Sequence, residues 1–397
     1  MMHIVFNAVA PSTSGVRSYI IALTTELPRM YPEVKYTAFV NPDLQQECDV
    51  GLPNISIVSR NASGSIQDKL VWEQFLLPRE LRRINADLLY TFFASDVFFA
   101  PCPTIIRIGN MLPYDSDAMQ LESSWRTRLR LQYLRWMSRL SSSTSDGTLV
   151  QSSYAAEELG ELHGFPNSKL FGINRGFAFD NSTDDSELLE NPPDSYILSV
   201  SHIFPFKRLI EVVEGYSIAR EMRPDMPPLL IAGDFKDSRY VLSLQNRIAE
   251  LKLTPFVTLL GNVPRNKLYN LIRGSMTTIF SSMVETFPVS LMEQMNIGSP
   301  MIVSNRGVMP SFGGDSVLYY NPASPQELSE QLLKLVDSAD LRATLKQASK
   351  ERMSEVTIDW HTALVKRQQL FERLVNANRS KNKLKRLLSA KKLLSDF

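Results

Sequence analysis

The chain of 397 residues exceeds what one hydrophobic core usually supports, so its length predicts two domains. A hydrophobic fraction of 44%, a charged fraction of 21% and a formal net charge of +1 describe an ordinary globular protein and argue against a general nucleic-acid binder, which must neutralise many phosphates. The two cysteines form no disulfide framework, no signal peptide opens the sequence, and no apolar run reaches the roughly 18 residues of a membrane span, so we predict a cytoplasmic protein.

Short β-branched runs alternate with helical patterns in the first half of the chain. The runs are HIVFNAV, KYTAFV, ISIVS, LLYT, TIIRIGN and GTLVQ, and the helical patterns include residues 16–27 and 125–140. Such alternation is typical of a parallel sheet wound with helices. We therefore predict an N-terminal Rossmann-like domain over residues 1–176.

An acidic segment interrupts this alternation. The stretch GFAFDNSTDDSELLENPPDS, residues 176–195, holds six acidic residues, a Pro-Pro pair and no lysine or arginine. This composition favours an interdomain linker, which we place at residues 177–195.

The alternation resumes over residues 196–355, which predicts a second Rossmann-like domain. Its runs are YILSVS, LLIAG, VTLLG, TTIFSS, PMIVSN and VLYY, with helical patterns at 207–220, 242–251, 266–273, 289–297 and 326–336. The fold class is thus α/β with two doubly wound sheets. Because such sheets bind ligands outside the carboxyl ends of their strands, we expect the functional residues on strand-to-helix turns facing a central cleft.

The stretch VETFPVSLMEQM, residues 284–295, follows one such strand and carries two acids eight positions apart. Pro288 suits the first position of a helix, and the outward-pointing amides of a helix start attract phosphate. Glu285 then lies on the loop and Glu293 about one and a half turns into the helix. Since a carboxylate can hold two hydroxyls, a ligand with a sugar at one end, a diphosphate in the middle and a ribose at the other end would fit this arrangement.

The longer run SSMVETFPVSLMEQMNIGSPMIVSNRGVMPSFGGDSVLYYNPASPQEL resembles the donor-binding signature of retaining GT-B glycosyltransferases of family 4. Three flanking stretches, SVSHIFPFKRLIEVVEGY, LLIAGD and LLGNVPRNKLYNLI, agree with that family in order and spacing, and TSGVRSYIIAL looks like its glycine loop. The resemblance implies transfer from a nucleotide-diphosphate sugar to a saccharide or lipid-linked acceptor, with retained configuration and without cofactor or metal. The second domain would bind the nucleotide sugar and the first the acceptor.

The resemblance also implies individual roles. Glu285 would contact the transferred sugar, Glu293 the ribose and Lys207 the diphosphate, with Arg208 or His202 as the second positive charge or donor. Gly109 occupies a place where the family often has a histidine. The remaining candidates are the phosphate-side residues Thr286, Phe287, Pro288, Val289 and Gly15, the base-side residues Asn262 and Val263, and the acceptor-side residues Arg107 and Asn110.

Other functions compete with this interpretation. A nicotinamide oxidoreductase would need G-x-G-x-x-G after its first strand, where this chain has only Gly15. A nucleotide-sugar epimerase of the same fold, or a non-catalytic nucleotide-sugar-binding protein, stays open. The DSD at 115–117 mimics a metal-binding DxD motif, but we assign it to loop chemistry because Lys207 and the helix start can offset the diphosphate charge.

Two basic segments lie outside the signature. WRTRLRLQYLRWMSRL, residues 125–140, carries five arginines, and we interpret it as a solvated helix face whose leucines belong to the core. Residues 356–376 resemble the family's final helix, which crosses back to the first domain. The basic tail, residues 377–397, is predicted to be an amphipathic helix that binds an anionic membrane surface, which would make the protein peripheral at the inner face of the cell membrane.

Overall fold

Two parallel β-sheets organise the chain. The computed structural model describes residues 1–9, 14–61, 65–176 and 193–395, so most of the predicted linker lies outside the described residues. The chain forms two compact units, the first made of Met1–Gly109, Gln132–Gly176 and Asp359–Phe397 and the second of Asn110–Leu131 and Phe177–Ile358. Residues 110–131, which the sequence interpretation places in the N-terminal domain, therefore belong to the second unit.

The first unit is built on a seven-stranded sheet in the order β3-β2-β1-β4-β5-β6-β7, with every pairing parallel. Its strands are β1 (His3–Ala8), β2 (Lys35–Val40), β3 (Ile55–Ser59), β4 (Leu88–Thr91), β5 (Thr104–Ile108), β6 (Gly147–Val150) and β7 (Leu170–Gly172). The helices are α1 (Ser14–Met30), α2 (Gln45–Cys48), α3 (Ile66–Val71), α4 (Leu77–Arg83), α7 (Ser153–His163) and α15 (Trp360–Ser395), with a π-helical turn at Trp72–Leu76. α5 (Ser116–Gln120) belongs to the second unit, and α6 (Trp125–Thr144) is one continuous helix.

The long C-terminal helix α15 packs on the first sheet. Asp359 caps it, because its Oδ1 accepts a 2.7 Å hydrogen bond from the Thr362 N–H. Phe371 is fully buried and lies 5.5 Å from the Tyr90 ring, centroid to centroid. The helix continues without a break to Ser395, so no boundary separates it from the segment predicted as a tail.

The second unit contains a six-stranded parallel sheet in the order β10-β9-β8-β11-β12-β13. Its strands are β8 (Ile197–Val200), β9 (Leu229–Ala232), β10 (Val257–Gly261), β11 (Thr277–Phe280), β12 (Met301–Ser304) and β13 (Leu318–Tyr320). Its further helices are α8 (Leu209–Met222), α9 (Ser238–Glu250), α10 (Arg265–Gly274), α11 (Val289–Ile297), α12 (Met309–Gly313), α13 (Pro325–Asp337) and α14 (Ala339–Val356).

Both sheets confirm the predicted α/β class. All twelve predicted runs form strands, because continuous β-branched and apolar runs suit strands covered by helices on both faces. The short, half-buried β7 is not among them. Over the described residues, none of the helices combines the length and the apolarity that crossing a membrane requires.

The strand order reverses once in each sheet. The first sheet reverses between β1 and β4, and the second between β8 and β11. At such a point the two following loops diverge to opposite faces of the sheet and leave room for a ligand. The residues after these four strands are therefore the first place to look for a site.

Candidate functional site

Two predicted site residues, Lys207 and Glu285, follow the strands at which the second sheet reverses. Lys207 ends the 3₁₀ turn Pro205–Lys207 after β8, and Glu285 lies on the loop between β11 and α11. A hydrogen bond of 3.0 Å from the Met283 N–H to the Phe206 carbonyl joins the two loops. Residues 78 positions apart are thus brought together at the carboxyl edge of the sheet.

The side chains of Lys207 and Glu285 form an ion pair between Nζ and Oε1, and they are only 13% and 22% exposed. The ammonium also lies 5.3 Å from the ring centroid of Phe206 and 5.6 Å from that of Phe280. Such rings attract a cation through their electron-rich faces. The Ser281 hydroxyl donates to the Lys207 carbonyl and holds the turn in place.

Arg208 adopts an unusual backbone conformation directly after Lys207. Its φ of 52° is left-handed, which costs a non-glycine residue on the order of 1 kcal/mol or more. Its Nη1 lies 2.8 Å from Glu211 Oε1, and its buried Nε has no hydrogen-bond partner among the described residues. Burial raises the pKa of Glu211, although Arg208 lowers it. The guanidinium is therefore oriented by Glu211 and keeps an unused donor.

Glu293 is held by two residues that are not among the sequence predictions, Arg265 and Tyr269. Its Oε1 accepts a 2.6 Å bond from Arg265 Nη2 and a 3.0 Å bond from the Tyr269 hydroxyl. Arg265 Nε also donates to the Tyr269 oxygen at 2.6 Å. Burial and then the Glu293 charge raise the pKa of Tyr269 to about 12, so the phenol stays a donor. Their spacing of four residues on α10, which places both on one face, is the signal that could have identified them.

The loop between the two acids is buried. Thr286, Phe287 and Pro288 are all withdrawn from solvent, and the Phe287 ring packs edge-on against Phe312 at 5.3 Å. α11 begins at Val289, one residue later than the predicted Pro288, which instead precedes the helix. The Val289 N–H donates to the Phe287 carbonyl at 2.9 Å. That amide is therefore already bonded, and the outward donors of the helix start belong to the residues after it.

His202 lies on the loop after β8, close to Lys207 and Lys236. Desolvation by the surrounding chain, and then these two lysines, lower the pKa of His202, although the residue as a whole is exposed to solvent. The loop is pressed against the end of β9, since a Cβ at Gly233 would lie 1.7 Å from the Ser201 carbonyl oxygen. Glycine is required there by this close approach.

The base-side candidates follow β10. Asn262 is exposed, and the half-buried Val263 packs against the apolar cluster of Tyr196, Leu198 and neighbouring side chains. With its side chain occupied in this cluster, Val263 can offer a ligand only its backbone.

The candidates near the first sheet have different surroundings. Arg107 is 4% exposed, lies 4.6 Å from the Tyr19 ring centroid and donates to the Phe92 carbonyl at 3.3 Å, so it is packed in the interior. A Cβ at Gly109 would lie 2.5 Å from Arg107 Nη1, so the guanidinium fills the space beside this glycine.

Asn110 and Gly15 are both exposed and lie in different units. The Asn110 Oδ1 accepts a 3.0 Å bond from the Leu112 N–H, which is a local turn contact. Gly15 is helical without a positive φ, and no atom of the described residues lies within 4 Å of the position of an added Cβ. Neither strain nor packing requires a glycine there.

A buried carboxylate, Glu73, is a further feature that the sequence interpretation does not contain. It lies in the π-helical turn, is 1% exposed, and accepts hydrogen bonds from Asn7 Nδ2 at 3.3 Å and Ser95 Oγ at 3.1 Å. Asn7 is on β1 and Ser95 follows β4, so the network occupies the point at which the first sheet reverses. Burial raises the pKa of Glu73 to about 7, against the lowering effect of Lys69. π-helical turns often mark functional segments.

The DSD segment has loop contacts. Asp115 caps α5 by accepting a 2.9 Å bond from the Ala118 N–H, and Asp117 pairs with Arg306 at 2.9 Å. In the parts of the chain that are described, no three His, Cys, Asp or Glu side chains form a group that could hold a metal ion.

Two sheets with the GT-B strand arrangement, and a charged cluster at the reversal point of the second, define the class of the protein as a GT-B fold. Solved structures support this class. A glycosyltransferase from Rickettsia africae matches with a TM-score of 0.68 and 15% identity, over 94% of this chain and 98% of that one. The structure of Anabaena Alr3699/HepE in complex with UDP-glucose matches with a TM-score of 0.68 and 15% identity, over 94% of this chain and 100% of that one.

A family model matches the second half of the chain. Residues 180–352 match the model Glycosyl transferases group 1, so this segment is similar to that family. Among curated proteins, it is 24% identical over 191 residues to the O-antigen chain mannosyltransferase RfbU of Salmonella typhimurium, covering 48% of this chain and 51% of that protein. It is 23% identical over 237 residues to the mouse Alpha-1,3/1,6-mannosyltransferase ALG2, covering 55% of this chain and 57% of that protein. The chain thus spans about half the length of the curated relatives it matches.

Proposed function

We propose that this protein is a retaining glycosyltransferase that moves a hexose from a nucleotide-diphosphate sugar to a hydroxyl of a saccharide or lipid-linked saccharide. The observation that carries the proposal is the Lys207–Glu285 pair at the reversal point of the second sheet, inside the residues that match the family. A cation for the diphosphate and a carboxylate for sugar hydroxyls stand there side by side.

The roles follow from these contacts. A bound diphosphate competes with Glu285 for the Lys207 ammonium, and the released carboxylate can then accept hydrogen bonds from hydroxyls of the sugar. Glu293, oriented by Arg265 and Tyr269, accepts from the ribose. The first turn of α11 presents its outward amides to the phosphates. Catalysis is then electrostatic stabilisation of the leaving diphosphate, which takes the acceptor proton, together with positioning.

The second positive charge is assigned to Arg208. The lowered pKa of His202 favours the neutral imidazole at neutral pH, so His202 acts as a donor, whereas a guanidinium remains charged. The unused Nε of Arg208 supports this assignment. With Lys207 and Arg208 offsetting the diphosphate, the reaction needs no divalent metal.

The substrates are proposed from the relatives. Both curated relatives are named mannosyltransferases, which favours mannose, while the Anabaena structure contains UDP-glucose. The relative named for the O-antigen chain favours an acceptor in cell-surface polysaccharide or lipopolysaccharide synthesis. We place the acceptor on the first domain and the protein in the cytoplasm, at the inner face of the membrane.

The test begins with thermal shifts in UDP, GDP, ADP and dTDP, since a ligand that binds only the folded state raises the melting temperature. The matching nucleotide sugar is then incubated with and without saccharide and glycolipid acceptors. A transferase releases nucleoside diphosphate when an acceptor is added, and Lys207→Ala abolishes the release while the exposed control Lys334→Ala keeps it. Interconversion of the sugar without an acceptor would instead establish an epimerase. Binding with neither reaction would establish a binding protein.

A further inference from the structure

Helix α6 carries a stripe of exposed apolar side chains. Trp125, Leu129, Tyr133, Trp136 and Leu140 follow one another at intervals of four, four, three and four residues, which places them within about 80° of the helix circumference. Their exposed fractions are 61%, 54%, 40%, 60% and 38%. The stripe lies on one uninterrupted helix, so its members share a face.

The opposite face of α6 is the one that packs. Leu131, Ser138, Ser141 and Ser142 are all at most 5% exposed and lie across the helix from the stripe. The sequence interpretation, in which the leucines of this segment belong to the core, is therefore right for Leu131 and wrong for Leu129 and Leu140. Among the described residues the stripe is left exposed, and isolated exposed apolar residues do not account for its regular spacing.

Arginines border the stripe on both sides. At 100° per residue, Arg126 and Arg130 lie along one edge and Arg128, Arg135 and Arg139 along the other. The helix contains no acidic residue, and within the described part of the chain none of the five arginines pairs with a carboxylate. A chain with a net charge of only +1 thus concentrates five positive charges around one apolar face.

A neighbouring loop adds two more exposed rings, Phe98 and Phe99, at 41% and 63%. The loop is fixed against the C-terminal half of α6, because the Asp96 N–H donates to Ser141 Oγ at 3.0 Å and Thr144 Oγ1 donates to Asp96 Oδ2 at 2.6 Å. These rings are therefore held out of the core by an ordered loop.

We propose that the stripe of α6 inserts into the headgroup region of an anionic membrane, with the helix parallel to the surface and the bordering arginines on lipid phosphates. Tryptophan and tyrosine favour the membrane–water boundary, and a basic rim around an apolar face is what anionic lipid attracts. A second copy of the chain fits less well, since a two-fold contact would set arginine rows against arginine rows. The proposal is independent of the transferase activity and of the C-terminal tail.

Tryptophan emission reports on the stripe directly. Trp125 and Trp136 are exposed, while Trp72 is buried and Trp360 half-buried. Mixing the full chain with phosphatidylcholine–phosphatidylglycerol vesicles should shift the emission to shorter wavelength, and acyl-brominated lipid should quench it. Pure phosphatidylcholine should give a much smaller effect. The Trp125→Phe/Trp136→Phe variant should still sediment with vesicles but lose the shift and the quenching.

Surface variants of the full chain complete the test. Leu129→Asp/Trp136→Asp and Arg126→Glu/Arg130→Glu should each weaken binding to the anionic vesicles by about tenfold or more, because apolar area or charge is lost. The matched controls are Leu162→Asp, exposed on α7, and Arg239→Glu, exposed on α9, and both should bind like wild type. Vesicle binding without any quenching would overturn the proposal in favour of another surface. Self-association in sedimentation velocity that Trp136→Asp abolishes, without vesicle binding, would overturn it in favour of a dimer contact.

Discussion

Lys207 and Glu285 follow the two neighbouring strands between which the second sheet reverses, and each side chain neutralises the other. The pair keeps both charges in place without leaving either one alone in a partly buried site. In the proposed mechanism, a diphosphate that binds Lys207 would also release Glu285, so diphosphate binding would free this carboxylate to contact the sugar.

The first prediction concerns Glu285. Glu285→Gln should lower kcat by about 100-fold or more, because the lost interaction forms where charge develops during bond breaking. Affinity for the bare nucleoside diphosphate should be kept or rise, since the diphosphate does not contact this carboxylate and no longer has to displace a charged side chain from Lys207. Initial rates and calorimetry test the two halves separately. Normal turnover in Glu285→Gln would remove this residue from the proposed mechanism.

The second prediction separates Glu293 from Glu285. Glu293→Gln should weaken binding of the nucleoside diphosphate itself by roughly 1–3 kcal/mol through loss of a charged hydrogen bond to the ribose. Arg265→Ala should weaken it in the same direction, because the carboxylate loses its 2.6 Å partner. Arg273→Ala, an exposed substitution at the other end of α10, serves as the control in calorimetry. Wild-type affinity in Glu293→Gln would contradict the ribose assignment.

The third prediction is that activity persists in EDTA. In the proposed mechanism, Lys207, Arg208 and the start of α11 would supply the positive charge that a divalent ion supplies in metal-dependent enzymes. Rates measured with excess chelator, and again after adding magnesium or manganese, should agree. Activity that disappears with chelator and returns with metal would revive the metal-binding interpretation of the DSD segment.

The fourth prediction uses the pH dependence of stability. Burial raises the pKa of Glu73 from its ordinary 4.5 to about 7, with Lys69 lowering it and Asp96 raising it further. The folded state therefore holds this proton more tightly than the unfolded state. The stabilisation of the folded state by protonated Glu73 is fully present below about pH 4.5, falls as the pH rises and is lost above about pH 7. The free energy of unfolding should therefore decrease by up to about 3 kcal/mol across this range.

The free energy of unfolding of wild type should accordingly fall between pH 5 and 7, and Glu73→Gln should lack this fall. Urea unfolding of both proteins at each pH measures the difference. Glu157→Gln, exposed on α7, should keep the wild-type slope. Parallel curves for wild type and Glu73→Gln would show that Glu73 titrates normally.

The fifth prediction concerns the basic tail. Deleting residues 379–397 should weaken binding to anionic vesicles, and raising the salt concentration should weaken binding of the intact chain likewise. Co-sedimentation of both proteins across a salt series measures this. Equal binding by the two would leave the tail as a solvated continuation of α15.

The sequence by itself determined the α/β class and the position of the two acids. Parallel strands that are buried on both faces have continuous β-branched and apolar sequences. Each predicted run forms a strand because such a sequence favours a strand locally and also suits burial under helices. The Glu285–Glu293 spacing around Phe287 and Pro288 likewise follows from chain order alone, with an error of one residue in the start of α11.

Only the tertiary structure decided which side chains surround these positions. Arg265 reaches Glu293 across 28 residues and Lys207 reaches Glu285 across 78, and no local pattern specifies such pairings. The apolar spacing of α6 is equally compatible with a core face and with an exposed one, and packing of the opposite face settled the choice. The pKa of Glu73 is raised because the folded unit excludes water from its carboxylate. Strands distant in the chain produce this burial, whereas the sequence shows Glu73 only as one acid among apolar neighbours.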